Sequence, residues 1–184
     1  MLLERLTGQA KKATSHRFAE QFAGIYLLCK IPDSQALGFA TRVGSPSNMD
    51  LIRAMRSNGK AKTNGHFLLR VEKSDRNTWR SRISVGRAQN NDLVLRHDSV
   101  SKLHAHFLVR AAQRRGQSHE ELVLSDVGSA NGTLVNGKTV EEGEDRAVVV
   151  SAGDRILFGE VDCSLLDAAA LHSRLRRLTV HSDF

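Results

Sequence analysis

Three separated stretches of the chain are rich in groups that bind an anion or a peptide backbone. They are Gly86-Arg87, the run from Ser99 to His104, and the run from Asp126 to Thr133. Guanidinium, ammonium and hydroxyl groups donate hydrogen bonds to phosphate oxygens, and a carboxamide side chain both donates and accepts. A doubly negative phosphate group is therefore a ligand that suits these stretches. The groups concerned belong to Arg87, Ser101, Lys102 and Asn131.

Short strands are expected to position the three stretches. Polar and apolar residues alternate from Trp79 to Val85, as they do in a half-buried strand. The segment from Leu93 to Leu95 separates the first two stretches and spans only about 10 Å, so long side chains from the loops on either side could reach one site. Further short strands are predicted at 67–72, 103–110, 121–125, 147–150, 155–158 and 161–166.

The segment from Thr133 to Val140 is predicted to form a β-hairpin. Asn136-Gly137 at its centre tolerates the positive φ angles of a tight turn, and both flanks consist of β-forming residues. Many short strands with regular turns, and no long helix between them, indicate a sandwich rather than a parallel α/β sheet. The expected fold class is therefore mainly β.

The N-terminal part of the chain has a different pattern. Residues 15–31 fit a helix with Phe18 and Phe22 on one side, but the run from Gly24 to Ile31 fits a buried strand almost as well. Both interpretations stay open at this point. A second helix is predicted to begin at Ser47, because Asp50 follows it with the spacing of a capping box.

A helix is also predicted at the C-terminus. Asp167 can cap it, and Leu171, Leu175 and Leu178 then fall on one face. The sequence thus divides into a basic, partly helical extension at 1–63, a β-sandwich at 64–168, and a C-terminal helix and tail at 169–184.

The formal net charge of +7 lies mainly at the ends of the chain. Residues 1–63 carry 10 basic and 4 acidic side chains, residues 64–168 carry 14 and 15, and residues 169–184 carry 3 and 1. Nucleic acid is disfavoured as a partner, because aromatic residues make up only 5% of the chain and supply no stacking surface.

The sequence also predicts a cytoplasmic protein without a membrane contact. No apolar run approaches 18 residues, and no segment has the pattern of a secretory signal. Cys29 and Cys163 are the two cysteines of the chain, too few for a disulfide scaffold or a four-cysteine zinc site.

Four motifs of the chain, and the order in which they occur, resemble those of the forkhead-associated (FHA) phosphopeptide-binding domains. They are Gly86-Arg87, Asn91 to Leu95, Ser101 to Ala105 and Asp126 to Gly137, and the resemblance covers roughly residues 64–168. It implies a two-sheet sandwich of about eleven strands that binds phosphothreonine peptides through loops at one end. It also implies that the domain catalyses no reaction and needs no cofactor or metal.

The resemblance assigns roles to individual residues. Ser101 matches the residue that hydrogen-bonds the phosphate, Arg87 one that contacts phosphate or peptide backbone, and Lys102 a further phosphate donor. Asn131 matches the asparagine that holds the peptide main chain, and Ser99 a residue that often faces the third position after the phosphothreonine. Residues expected to shape the loops and turns are Gly86, His104, Gly132, Thr133, Asn136 and Gly137.

Two positions depart from the family pattern. Lys102 stands where an arginine is usual, which keeps the charge but loses the planar two-pronged geometry. Ala130 stands where a threonine is usual, so one hydroxyl donor is missing. One neutral hydrogen bond contributes about 0.5–1.5 kcal/mol, so we expect binding weaker by roughly tenfold.

The same residue types also occur in catalytic and metal sites. A hydrolase triad of Ser101, His104 and Asp126 is disfavoured, because residues three apart on an extended chain point to opposite faces. His104 and His106 share a face and could ligate a metal, but no ordered set of further ligands accompanies them. Arg87 could instead pair with Asp92 or Asp98, a surface contact of little energy.

The leading hypothesis is therefore a phosphothreonine-dependent adaptor whose partner is a Ser/Thr kinase or a kinase substrate. The alternative is a phosphate-independent scaffold or oligomerisation protein that uses residues 1–63 as its main contact. An intramolecular ligand is also possible, because a tethered phosphothreonine has a high local concentration. The threonines available for it are Thr7, Thr14, Thr41 and Thr63.

Overall fold

The computed structural model describes residues 3–30, 66–114 and 117–177, and eleven strands lie within them. The strands are β1 (Ile25–Lys30), β2 (His66–Arg70), β3 (Arg82–Gly86), β4 (Leu93–Val94), β5 (Ala105–Arg114), β6 (Gln117–Asp126), β7 (Thr133–Val135), β8 (Lys138–Val140), β9 (Val148–Val149), β10 (Arg155–Phe158) and β11 (Val161–Asp167).

The strands form two sheets. The first has the order β2-β1-β11-β10-β7-β8 and the second the order β4-β3-β5-β6-β9. Among the described strands only β3 and β4 pair in parallel, and every other pair is antiparallel. The predicted two-sheet sandwich of about eleven strands is confirmed.

The main hydrophobic core lies between the two sheets. Leu27 and Leu165 enter it from the first sheet, and Phe107 and Leu124 from the second. The rings of Phe107 and Phe158 meet edge to face with centroids 6.4 Å apart. Each such side chain stabilises the fold by about 1.5–3 kcal/mol through its removal from water.

Strand β1 is buried on both faces, which explains the unbroken apolar run in its sequence. Leu27 and Cys29 face the core between the sheets, whereas Tyr26 and Leu28 face a second core on the outer side of the first sheet. Of the two interpretations left open for residues 24–31, the buried strand is therefore the observed one.

The position of β1 alters the domain boundary expected from the sequence. β1 lies between β2 and β11 in the sheet, although its residues fall within the segment 1–63 that the sequence predicts to be an extension. The sandwich thus begins at Ile25 rather than at residue 64. The chain returns to this sheet at β2, which begins at His66.

Three helices cover the outer face of the first sheet. They are α1 (Leu3–Lys12), α2 (Ser15–Gln21) and α3 (Ala168–Arg177). The second core joins them to the sheet and contains Leu6, Phe18, Leu171 and Leu175. The predicted helical part of the N-terminus and the C-terminal helix are thus confirmed.

Side chains form hydrogen bonds with the backbone N–H and C=O groups that have no partner within a helix at its ends. Asp167 caps α3, because its Oδ1 accepts a 2.7 Å hydrogen bond from the N–H of Ala170. The buried His172 donates from Nε2 to the carbonyl groups of Ala10 (3.0 Å) and Ala13 (3.1 Å) at the end of α1. The helix predicted from Ser47 lies outside the described residues.

The hairpin β7–β8 has the predicted turn. Asn136 adopts φ 51° and Gly137 φ 80°, and Thr133 pairs with Val140. The strand predicted from Trp79 begins instead at Arg82. The N–H of Trp79 donates to Oδ1 of Asn77 in a preceding turn, which keeps Trp79 out of the sheet.

The described residues include no helix long and apolar enough to cross a bilayer. Cys29 and Cys163 are partners across β1 and β11, and both are free thiols within the main core.

Candidate functional site

Three loops and one turn meet at the same end of the sandwich. The β3–β4 loop is joined to the β4–β5 loop by two backbone bonds, from the N–H of Arg87 to the carbonyl of Ser101 (2.9 Å) and from the N–H of Ala88 to the carbonyl of Lys102 (3.1 Å). The amide of Asn91 also donates to the carbonyl of Lys102, at 2.7 Å. The first two stretches singled out in the sequence are therefore in direct contact.

Gly86 is required by this close approach of the two loops. A Cβ atom at this position would lie 2.4 Å from the carbonyl oxygen of Lys102 and 2.8 Å from Nδ2 of Asn91. Since both atoms belong to the bonds that join the loops, a larger residue would push the loops apart.

Arg87 extends over the β4–β5 loop with part of its guanidinium unused. Its Nε donates a 3.0 Å bond to the carbonyl of Val100, and its side chain is exposed. Among the described residues, no ion pair holds Arg87. The alternative interpretation, in which Arg87 pairs with Asp92 or Asp98, is not observed, and the Asp92 carboxylate is occupied by a network of its own.

That network fixes the start of β3 and β4. The buried carboxylate of Asp92 accepts bonds from Nζ of Lys73 (2.8 Å), Nδ2 of Asn77 (2.8 Å) and the N–H of Ser84 (2.8 Å). Burial by itself would raise the pKa of Asp92, but these bonds, with those from Ser74, outweigh it and hold the pKa well below its usual value.

The hydroxyl of Ser101 connects the β4–β5 loop to the β6–β7 loop. Its oxygen accepts a 3.0 Å hydrogen bond from the N–H of Ala130. This bond uses an acceptor lone pair and leaves the O–H proton available to a ligand. The next residue, Lys102, is exposed and carries a third donor at this end. We call Arg87, Ser101 and Lys102 the donor cluster.

His104 braces the same two loops from below. Its Nδ1 accepts from the N–H of Ser101 at 3.1 Å, so its proton lies on Nε2, which is 3.1 Å from the carbonyl oxygen of Gly132. Burial lowers the pKa of His104, although the Gly132 carbonyl and the charge of Asp126 partly oppose this. The neutral ring is therefore the form that fits the loops.

Asp126 shapes the β6–β7 loop. Its carboxylate accepts from the N–H groups of Gly128 (2.9 Å) and Ser129 (2.8 Å) and from the hydroxyl of Thr133 (2.5 Å). Burial alone would raise its pKa, but these bonds lower it overall. Asp126 and Thr133 thus set the course of the loop that presents Ala130 and Asn131.

Asn131, in the β6–β7 loop, contacts Ser99 in the β4–β5 loop. Its Nδ2 donates to the carbonyl of Ser99 at 2.9 Å, and the side chain is exposed. The hydroxyl of Ser99 is 2.7 Å from Nδ1 of His97 and accepts a 2.9 Å bond from the N–H of Glu160 in the β10–β11 turn. No motif of the sequence indicated that Glu160 belongs to this end of the sandwich.

Two alternative interpretations can be compared with this geometry. His104 contacts the backbone N–H of Ser101, whereas the Ser101 hydroxyl bonds Ala130, so the two do not form a nucleophile and base pair. His104 packs on Phe158 in the core, whereas His106 packs on Trp79 on the outer face of the second sheet. The two histidines therefore do not share a face, contrary to the expectation from their spacing.

Comparison with protein families agrees with the motifs found in the sequence. The family model of the FHA domain matches residues 83–159, the part of the chain that contains every residue of the donor cluster. No curated protein matches the chain.

Several solved structures resemble the chain. Mycobacterium tuberculosis EmbR in complex with a low-affinity phosphopeptide is 25% identical, with a TM-score of 0.38, over 47% of this chain and 20% of that one. This chain thus spans about a fifth of EmbR. The yeast Dun1 FHA domain in complex with a doubly phosphorylated peptide is 16% identical, with a TM-score of 0.48, over 88% and 83%. The FHA domain of CT664 from Chlamydia trachomatis is 17% identical, with a TM-score of 0.44, over 78% and 98%.

The motifs around Gly86, Ser101 and Asn131 thus lie on the loops of a two-sheet sandwich, in the segment that the family model matches. Residues 83–159 of the chain match the FHA domain family.

Proposed function

We propose that this FHA domain captures proteins that carry a phosphorylated threonine. The observation that supports the proposal most strongly is the position of the donor cluster. Arg87 and Ser101 lie on two loops joined by a 2.9 Å backbone bond, and the side chains of both keep donor groups that the described residues do not use.

A phosphate ester suits these donors for electrostatic reasons. It carries about −1.5 to −2 charges near neutral pH and presents three acceptor oxygens. Arg87 and Lys102 supply positive charge, and Ser101 supplies a hydroxyl that the Ala130 N–H orients. Hydrogen bonds to charged groups contribute about 1.5–3 kcal/mol each, roughly twice the value of neutral ones.

Asn131 is proposed to hold the main chain of the bound peptide. One of its amide hydrogens is used by the Ser99 carbonyl, which fixes the orientation of the side chain. The second amide hydrogen and the carbonyl oxygen remain for a peptide N–H and C=O. Such contacts do not depend on the peptide's side chains and would add affinity without specificity.

The proposed activity is capture, without bond making or breaking and without a cofactor. The partner is a phosphoprotein, such as a Ser/Thr kinase or one of its substrates. Lys102 and Ala130, which replace the usual arginine and threonine, favour weaker phosphate binding than the family pattern would give. Weak, reversible capture is compatible with a signalling role.

A narrower proposal is that the ligand is a phosphorylated threonine of the same chain. Thr7 is only 2% exposed, within α1, and a kinase could not reach it in the folded state. Thr14 is exposed, and its hydroxyl accepts a bond from the N–H of Arg17 at the start of α2. Thr41 and Thr63, the other two threonines considered, lie outside the described residues.

A titration of the full chain tests the proposed function. Three versions of a degenerate peptide library would be compared, with phosphothreonine, phosphoserine or unmodified threonine at the fixed position. We expect phosphothreonine peptides to bind at least about tenfold more tightly than unmodified ones, since several charge-assisted bonds depend on the phosphate.

The substitution Arg87→Ala should remove this difference. Arg110→Ala is the matched control, because Arg110 is also exposed but lies on the β5–β6 hairpin, away from the donor cluster. Equal binding of phosphorylated and unmodified peptides by the unaltered chain would overturn the proposal.

A further inference from the structure

The loops at the site end carry a second charged feature of opposite sign to the donor cluster. Asp98 and Glu160 flank Ser99, one in sequence and the other through the 2.9 Å bond from the Glu160 N–H to the Ser99 hydroxyl. Both side chains are exposed, that of Glu160 by 66%. We call Asp98 and Glu160 the acidic pair.

The backbone of the β10–β11 turn fixes the position of Glu160. Gly159 adopts φ +58°, and a Cβ atom there would lie 2.5 Å from the carbonyl oxygen of Ser99. The N–H of Gly159 donates to the carbonyl of Gly132 at 3.0 Å. The turn is therefore held against both the β4–β5 and the β6–β7 loops, and Glu160 is a fixed part of the site end.

A buried histidine lies beneath Glu160. His97 is 1% exposed, and its Nδ1 is used by Ser99, from both the hydroxyl at 2.7 Å and the N–H at 3.2 Å. Because a backbone N–H can only donate, Nδ1 is an acceptor and the proton lies on Nε2. Nε2 has no hydrogen-bond partner among the described residues and lies 3.9 Å from Oε2 of Glu160.

His97 thus supplies a donor on the inner side of the carboxylate, and the outer side faces solvent. A small movement of the Glu160 side chain would satisfy Nε2 and fix one carboxylate oxygen. The other oxygen and the exposed side chain of Asp98 would then remain accessible to a ligand. Such an arrangement suits a cationic side chain.

The spacing between the two charged features suits a single peptide. Ser99 and Ser101 are two residues apart, so their Cα atoms are separated by at most about 7 Å. When the length of the Glu160 side chain is added, the distance from Ser101 to the Glu160 carboxylate is at most about 15 Å. An extended peptide of four or five residues covers this distance at about 3.3 Å per residue. Asn131 contacts the same Ser99–Ser101 segment, through its bond to the Ser99 carbonyl.

We propose that the acidic pair selects phosphopeptides with a lysine or arginine within four residues of the phosphothreonine. This inference rests on the proposed function, because it concerns the same bound peptide. Asp98 and Glu160 would act as specificity residues, and His97 as a positioning residue for Glu160. The ligand is then a phosphorylated segment of basic rather than acidic character.

The experiment is a positional scan with the full chain. In phosphothreonine peptides, each of the four positions on either side is changed in turn to lysine, alanine or glutamate. We expect lysine to bind about two- to fivefold more tightly than alanine at one or two positions on one side, and glutamate more weakly, as for a solvent-accessible ion pair.

Variants identify the residues responsible. Glu160→Gln should reduce the lysine preference, Asp98→Asn with Glu160→Gln should abolish it, and Glu160→Lys should reverse it toward glutamate. Glu120→Gln is the control, because Glu120 is an exposed carboxylate on the β5–β6 hairpin. A lysine preference that persists unchanged in the double variant would overturn the proposal.

The outcomes separate this inference from the proposed function. Phosphate-dependent binding with no lysine preference at any position would leave the proposed function intact and overturn the inference. Absence of phosphate-dependent binding by every peptide would overturn both. Thermal melting of each variant checks that the exposed substitutions leave the fold unchanged.

Discussion

The backbone N–H of Ala130 donates a 3.0 Å hydrogen bond to the hydroxyl oxygen of Ser101, across 29 residues of sequence. This bond joins the β4–β5 and β6–β7 loops and sets the direction of the Ser101 O–H. A hydroxyl that both accepts from one loop and donates to a ligand makes binding sensitive to the relative position of the loops.

Ser101→Ala should therefore weaken phosphothreonine binding by at least about tenfold, because it removes a charge-assisted bond. The free energy of unfolding should fall by less than about 1 kcal/mol, since the Ala130 N–H is at an exposed residue and can bond to water. Fluorescence anisotropy and urea unfolding measure the two effects. Ser118→Ala on the exposed part of β6 is the control, and unchanged affinity in Ser101→Ala would contradict the assigned role.

Ala130→Thr should strengthen phosphothreonine binding, because it adds a hydroxyl at an exposed position of the β6–β7 loop. One neutral hydrogen bond of about 0.5–1.5 kcal/mol corresponds to a gain of up to roughly tenfold. Isothermal titration calorimetry with one phosphopeptide measures the change. Ala130→Val has a similar shape without the hydroxyl, so an equal gain in that variant would show that the hydroxyl is not the cause.

Asp92→Asn should destabilise the fold by about 3 kcal/mol, because it leaves the Lys73 ammonium without its partner in a buried network. The pKa of Asp92 lies below its unfolded value, so the folded state binds fewer protons than the unfolded state in acid. The stabilisation by the Asp92 carboxylate is thus complete above the unfolded value of 3.8 and is lost as the pH falls further.

Urea unfolding across the acid range tests this linkage. The difference in unfolding free energy between the unaltered chain and Asp92→Asn should shrink below about pH 4. Asp75→Asn, at an exposed residue of the β2–β3 loop, should give no such change. A difference independent of pH would show that the charge of Asp92 is not the stabilising feature.

Stability should also fall between neutral and mildly acidic pH because of His104. Its pKa is lower in the folded state than the ordinary 6.5, so the unfolded state takes up a proton first as the pH falls. His104 imposes no such penalty above about pH 7, and the loss grows as the pH falls through the folded value. Protonation of Nδ1 would break the bond from the Ser101 N–H.

His106 contributes in the same direction and must be separated from His104. Burial and the charge of Arg82 lower its pKa, although Glu144 and Asp92 oppose this. Urea unfolding of His104→Gln and His106→Gln between about pH 7 and pH 5 separates the two residues. A loss of stability that is as steep in His104→Gln as in the unaltered chain would remove His104 from the explanation.

The local features of the fold could be predicted from the sequence. The turn at Asn136-Gly137, the cap at Asp167 and the strand 155–158 each depend on neighbouring residues, and each is observed. The loops that carry Arg87, Ser101 and Asn131 were also identified, because their motifs come in a recognisable order. These loops contact one another and together form the candidate site.

Features set by distant residues could not be predicted. An apolar run such as Ile25–Cys29 fits a strand almost as well as a helix, and only its packing between the main core and the helices decides between them. Trp79 alternates as a strand residue, but the bond of its N–H to Asn77 prevails. Glu160 lies 61 residues from Ser99 in sequence, and no local pattern indicates their contact.

The pairing of β1 with both β2 and β11 has a practical consequence for dissecting the chain. A fragment cut at residue 64 would lack an inner strand and would expose two unsatisfied edges, which invites aggregation. Deletion studies of the leading segment would then report misfolding rather than partner loss. Point substitutions in the full-length protein avoid that ambiguity, and any expression boundary should leave α1 attached.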